Sequence, residues 1–198
     1  MAEMAITPVL AAAWLVPVII VGGLLLLVIL WWVGVYNMLI RLRNRVREAW
    51  AQIDVQLKRR YDLIPNLVNT VKGYAKHEKE LFENVTKARA NAIAAGSVGQ
   101  QAQAENMLTG ALRSIFAVAE NYPELKANQN FLSLQEELSA TENKISFARQ
   151  HYNESVRAFN TRIQMVPNNI VAGMANFKQE EMFELEDQAQ REAPKVDF

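Results

Sequence analysis

From Met4 to Ile40 the chain carries no Asp, Glu, Lys or Arg, a run of 37 residues. Inside it, Trp14 to Trp32 is apolar apart from Pro17, Gly22 and Gly23. A helix needs ~20 such residues to cross a ~30 Å hydrocarbon core, so this window predicts one transmembrane span. Beyond Arg41 the pattern changes: apolar residues recur three and four apart, the period of a helix face, and no useful length alternates with period two. One seam runs through Val46, Trp50, Ile53, Leu57 and Ile64, and a second through Leu67, Val71, Tyr74, Leu81, Val85 and Ala88. A third holds Ala104, Leu108, Ala111, Ile115, Val118 and Tyr122. The longest keeps the rhythm from Phe131 through Leu134, Leu138, Ile145, Ala148, Tyr152, Phe159 and Ile163 to Val166. The expectation is an all-α protein, an N-terminal transmembrane helix followed by an antiparallel up-and-down four-helix bundle of long helices.

Prolines and glycines punctuate these seams and place helices at about 41–63, 65–95, 101–122 and 129–166. Pro65 is compatible with a first helical position, with Asp62 upstream as a cap, and so predicts a tight hairpin over Asp62–Asn66. A kinked continuous helix is the alternative. Gly96, Ser97 and Gly99 form a helix end and loop, Pro123 ends the third helix, and Pro167 ends the fourth. The chain divides into a hydrophobic arm and anchor (1–40), a helical bundle (41–167) and an amphipathic, then acidic, C-terminal tail (168–198). Within the first part, Pro17 marks the division between arm and span. A cleaved signal peptide would need positive charge ahead of a shorter apolar stretch, and the only early charge is Glu3.

The 21 basic and 21 acidic side chains cancel, but their placement does not. No Lys or Arg precedes the span, whereas Arg41, Arg43, Arg45 and Arg47 follow it, which places the N terminus outside and the bundle in the cytoplasm. Trp14 at one edge and Trp31, Trp32 and Tyr36 at the other suit headgroup depth. The four arginines point to all sides of a helix, a collar fitted to anionic lipid headgroups rather than the one-sided stripe of a nucleic-acid reader. Membrane lipids are therefore expected partners and nucleic acid is not. Residues 41–60 hold seven basic and two acidic residues, and residues 179–198 hold seven acidic and two basic. One reading of the tail is a solvated, frayed end. The other is a strap, with Glu180, Glu181, Glu184, Glu186 and Asp187 reaching the arginine-rich root of this or a neighbouring subunit. Lys58, Arg59 and Arg60 are candidate partner contacts, or else cations placed at a helix end. The uncharged run is longer than one perpendicular span can bury, so the surplus must tilt, lie at the interface or pack against further copies; packing explains it best, and a homo-oligomer is expected.

The catalytic templates fail one by one. There is no cysteine, hence no disulfide, thiolate metal site or thiol nucleophile. His77-Glu78 opens like a zinc-protease motif, but Leu81 stands where the second imidazole is required. A di-iron site would need Glu three residues before His, and those positions are Tyr74 and Ala148. No glycine-rich loop with Lys-Ser or Lys-Thr cradles phosphate. No catalytic, metal or cofactor residue is assigned. Asn143, Asn153 and Asn160 border the longest seam, either setting register between helices or facing solvent.

Longer strings carry more information. Arg43-Asn44-Arg45-Val46, Glu48-Ala49-Trp50 and the unbroken stretch from Ile53 through Lys58-Arg59-Arg60-Tyr61-Asp62-Leu63-Ile64-Pro65-Asn66 to Val68 resemble the LemA family of membrane proteins. So do Thr70–Ala75, His77-Glu78, Val85–Ala90, Glu120–Asn128, Thr141–Ile145, Ala148-Arg149 and Tyr152-Asn153. The resemblance, over roughly Tyr36 to Phe183, implies one N-terminal anchor and an antiparallel helical bundle, and no catalytic residues or cofactor. It also implies bacterial envelope partners, since relatives accompany membrane metallopeptidases or, in one branch, magnetosome membranes. The function expected is a non-enzymatic membrane-anchored scaffold that self-assembles. A helical adaptor regulating a membrane protease or envelope stress response is the alternative, and a cryptic hydrolase the third.

Overall fold

A computed structural model describes residues 6–184, with side chains from residue 15. Every regular element among the described residues is helical: α1 (Ile6–Lys72), α2 (Lys79–Ala94), α3 (Val98–Ala119), the single turn α4 (Pro123–Lys126), α5 (Gln129–Gln164) and α6 (Asn168–Met174). The expectation of an all-α chain led by a long apolar helix holds. Among the described residues the chain forms two compact units, residues 6–44 with 159–179 and residues 45–158 with 180–184, hereafter the first and second units.

The hairpin expected at Asp62–Asn66 does not form. α1 runs through Pro65 to Lys72, and the chain reverses instead between Gly73 and Glu78. Proline has no amide hydrogen, so the carbonyl of Tyr61, four residues back, has no donor within the helix. Arg89 on α2 supplies one, its Nε donating to the Tyr61 oxygen at 2.8 Å. A side chain on another helix thus answers the defect that argued for a break.

In the second unit, α1 buries Val46, Ala49, Ile53, Leu57, Ile64, Leu67 and Val71, spaced to keep one face inward. Pairs of contacts fix helix direction. Lys72 lies over Phe82 and Arg89 reaches Tyr61, so α2 runs back along α1. Arg59 pairs with Glu137 and Trp50 meets Tyr152 edge-on at 5.3 Å, so α5 is likewise antiparallel to α1. Ser97 caps α3, its hydroxyl accepting from the Gln100 amide, as the Gly-Ser-rich break anticipates. The buried face of α3 is rotated from the expected seam: Leu112 and Ala119 are buried where Ala111 and Val118 were expected, and Gln101 and Glu105 join them. Tyr74 is exposed, as is Val166, which ends the longest seam in sequence but lies past the end of α5.

In the first unit, α1 buries Val35 and Leu39. Short α6 ends in a paired cap: Asn176 adopts φ 54°, a conformation asparagine tolerates, Phe177 N–H donates to Ala172 O at 2.9 Å, and Asn176 N–H to Gly173 O at 3.2 Å. The cap delivers Phe177 to Tyr36, with ring centroids 6.0 Å apart, and to Phe159 at 6.1 Å.

Candidate functional site

The apolar section of α1 is open to its surroundings. Leu15 to Leu30 expose 55% or more of each large apolar side chain, a surface that water would not tolerate over four turns but hydrocarbon would. This is the one helix among the described residues long and apolar enough to cross a membrane. At its C-terminal end Trp32 and Tyr36 stack at 5.5 Å with planes 8° apart, and Trp31 is exposed. Arg41, Arg45 and Arg47 are exposed, whereas Arg43 is half-buried, its guanidinium 5.1 Å from the Phe177 ring centre. The Trp14 side chain lies outside the described residues.

The charged triplet divides. Lys58 and Arg59 are exposed, and Arg59 pairs with Glu137 at 3.7 Å. Arg60 is buried, 4% exposed, and corrects its reading both as a partner contact and as a helix-end cation, since α1 continues twelve residues past it to Lys72. Its Nη1 meets Glu105 at 3.2 Å and Glu142 at 3.0 Å, and its Nη2 donates to Thr109 at 2.8 Å. The neighbouring Tyr61 hydroxyl donates to the other Glu105 oxygen, while Gln101 Nε2 donates to the Tyr61 oxygen at 2.8 Å and to the Ala92 carbonyl at 3.1 Å. Burial pushes the Glu105 carboxyl above the usual carboxylate range, against the opposing pull of the Tyr61 hydroxyl and Arg60. Burial also pushes the Tyr61 phenol up, and the Glu105 carboxylate adds to it. This network ties α1, α2, α3 and α5 together with its polar groups satisfied.

Beside this network opens a cleft of about 570 Å³, walled by Trp50, Asp54, Lys58, Asp62, Arg89 and the α2–α3 turn at Gly96 and Ser97. The start of the acidic tail also packs on Trp50. Phe183 is 1% exposed with its ring 5.8 Å from Trp50. Asn153 clasps its backbone twice, accepting from the Phe183 amide at 2.8 Å and donating to its carbonyl at 3.0 Å. Tyr152 donates to the Glu181 carbonyl at 2.8 Å; burial, with Glu180 and Glu181 nearby, pushes its own phenol up to about 12. Residues 180–184 are thus a strap held by an aromatic anchor and backbone bonds, and Asn153 fixes the strap rather than helix register. Glu181 and Glu184 are exposed, and a Glu181 carboxylate oxygen comes close to Gly99. Glu186 and Asp187 lie outside the described residues. Asn143 faces solvent, as do His77 and His151.

An exposed apolar helix joined to an all-helical unit with a closed ionic core defines a membrane-associated helical protein. The LemA family profile matches residues 49–198, and the chain belongs to that family. It is 29% identical over 146 residues to Protein LemA of Metamycoplasma hominis, covering 71% of this chain and 65% of that protein. It is 23% identical over 175 residues to Magnetosome protein MamQ 2 of Paramagnetospirillum magneticum, and 22% over 174 residues to Magnetosome protein MamQ of Magnetospirillum gryphiswaldense. Each MamQ match covers 75% of this chain and 64% of the relative, so the chain spans just under two thirds of the length of these proteins.

Proposed function

We propose that this chain is a non-enzymatic, membrane-anchored helical scaffold, holding its second unit at the cytoplasmic face of a bacterial membrane and assembling with further copies. The observation that carries the reading is α1 itself. One helix is apolar and exposed over Leu15–Leu30, then supplies the central buried face of the second unit from Val46 onward, with no loop between anchor and core. Arg60 and Glu105, the buried ion pair of the second unit, are committed to packing. Orientation rests on the arginines at 41, 43, 45 and 47, all on one side of the apolar stretch. Magnetosome proteins among the relatives are consistent with a membrane-organising role.

Cysteine labelling tests the topology without background, because the native chain has no cysteine. Ala5→Cys should react with an impermeant maleimide in intact cells, and Ser97→Cys only after permeabilisation; the reverse pattern refutes the orientation. The mass of the protein in mild detergent and in nanodiscs tests assembly. A strictly monomeric chain in both would refute the scaffold, and crosslinking that returns mainly a different protein would favour the adaptor.

A further inference from the structure

The segment that completes the first unit, Phe159–Gln179, is unusual in composition and in exposure. It contains Arg162 and Lys178 and no Asp or Glu, in a chain otherwise rich in acidic residues beyond Arg41. Both cations are exposed. Around them, four large apolar side chains stand uncovered: Met165 at 47% exposure, Val166 at 78%, Ile170 at 58% and Met174 at 74%. They do not belong to the helix core, which is formed by Ile163, Val171 and Ala172. α6 is therefore apolar on the face it buries and apolar again at Ile170 and Met174, four residues apart on its outside.

The position of this patch identifies what covers it. Phe177 packs on Tyr36, and Tyr36 stacks on Trp32, at the point where the exposed apolar section of α1 gives way to arginines. Met174 is three residues from Phe177, so its Cα stands within about 11 Å of the Phe177 Cα even along a fully extended chain. The uncovered patch thus belongs to the same compact unit as the apolar surface that the anchor offers to the bilayer. Cations beside exposed apolar side chains, with no carboxylate among them, match an anionic phospholipid surface, where apolar groups enter the boundary between headgroups and acyl chains.

We infer that Met165–Met174 is a second membrane contact, an interfacial element that seats Met165, Val166, Ile170 and Met174 in the headgroup–acyl boundary while Arg162 and Lys178 meet lipid phosphates. The inference rests on the proposed anchoring by α1. It turns a single-helix tether into attachment at two points of one compact unit, which restricts how the first unit tilts on the membrane.

The test uses the full chain with single cysteines at Ile170→Cys, Met174→Cys, Leu25→Cys or Glu83→Cys. Each carries an environment-sensitive fluorophore, in vesicles of phosphatidylcholine and phosphatidylglycerol with or without acyl chains brominated near the headgroup or near the bilayer centre. The labels at 170 and 174 should be blue-shifted relative to that at 83 and quenched most by shallow bromines, and the label at 25 by deep ones. Replacing phosphatidylglycerol with phosphatidylcholine alone should reduce the quenching at 170 and 174 but not at 25. If 170 and 174 stay as unquenched as 83 while 25 is quenched, the anchor stands and the interfacial element is refuted. If 25 is also unquenched, the anchoring reading itself fails and takes the inference with it. Blue-shifted but unquenched labels at 170, with disulfide linkage between unlabelled Ile170→Cys copies, would assign the patch to a second copy of the chain and overturn the lipid contact.

Discussion

The helix that passes through Pro65 depends on a donor 24 positions further along the chain, and that dependence can be measured. Pro65 leaves the Tyr61 carbonyl without an intrahelical partner, and the Arg89 guanidinium bonds to it at 2.8 Å in a partly buried setting. A hydrogen bond from a charged donor is worth about 1.5–3 kcal/mol net, so Arg89→Met, which keeps the aliphatic stem, should destabilise the fold by about that amount. In a chain of this size ~1 kcal/mol shifts the melting temperature by about 2–4 °C, giving a fall of about 3–12 °C. Pro65→Ala restores an amide at position 65, and the carbonyl regains its ordinary helical partner. In that background Arg89→Met should cost far less, with a coupling of about 1–2 kcal/mol between the two positions. Thermal melts followed by far-ultraviolet circular dichroism on the four full-length proteins measure this. They are run in one detergent at one protein concentration, because association alters apparent stability. An equal loss from Arg89→Met in both backgrounds would show that Arg89 stabilises the protein in some way other than serving the carbonyl that Pro65 leaves open.

Glu105→Leu should cost about 3–5 kcal/mol, because it strips Arg60, buried to 4% exposure, of its enclosed counter-charge and leaves the half-exposed Glu142; a melting temperature within 2 °C of the parent, about 1 kcal/mol or less, would contradict this. The raised carboxyl of Glu105 means that the native state binds its proton more tightly than the unfolded chain does, so this group's contribution to stability is fully present below the ordinary value of 4.5 and is lost as pH rises through the higher native value. Melting temperatures across that range should therefore fall relative to those of Glu105→Gln, and parallel profiles would refute the assignment. Phe183→Ala should release the strap without unfolding the second unit: the residue-183 amide, held by Asn153 Oδ1, should exchange with deuterium at least ten times faster while amides of α1 near Ile53 keep their protection.

How much of this is visible in the sequence depends on whether the determining interaction is local. The uncharged run and the three-and-four spacing of Val46, Ile53, Leu57, Ile64, Leu67 and Val71 are properties of one helix face, and all six residues are buried. Pro65 is different, because the local rule is correct about the cost and silent about the remedy. Nothing near position 65 announces that Arg89 will be across from Tyr61. The strap is also hidden: the charges of the tail point to Glu180 and Glu181, but its anchor is Phe183 against Trp50, and its backbone bonds go to an asparagine thirty residues away. Electrostatic complementarity between root and tail was a sound sum over charges, yet a buried ring and two backbone bonds position the chain more firmly than exposed pairs do.

The Arg60 network shows where a signal was present and misread. The buried face of α1 steps from Ile53 to Leu57 and then to Ile64, leaving a gap of seven that a helix can fill only at 60 or 61. The sequence places Arg60 and Tyr61 there, two polar groups at positions the period demands be inward. The same holds on α3, where Gln101, Glu105, Leu108, Leu112, Ile115 and Ala119 share one buried face, but the polar first two conceal its start and shift the apparent seam by one position. On α1 the skipped beat alone points to Arg60 and Tyr61 as inward polar residues. On α3 the apolar rhythm from Ala104 skips nothing, so the partner Glu105, met at 3.2 Å, is found only once the helices are packed together. Polar letters therefore belong in a seam search wherever the apolar rhythm skips a beat, a rule that recovers one side of the central ionic contact and leaves the other to tertiary packing.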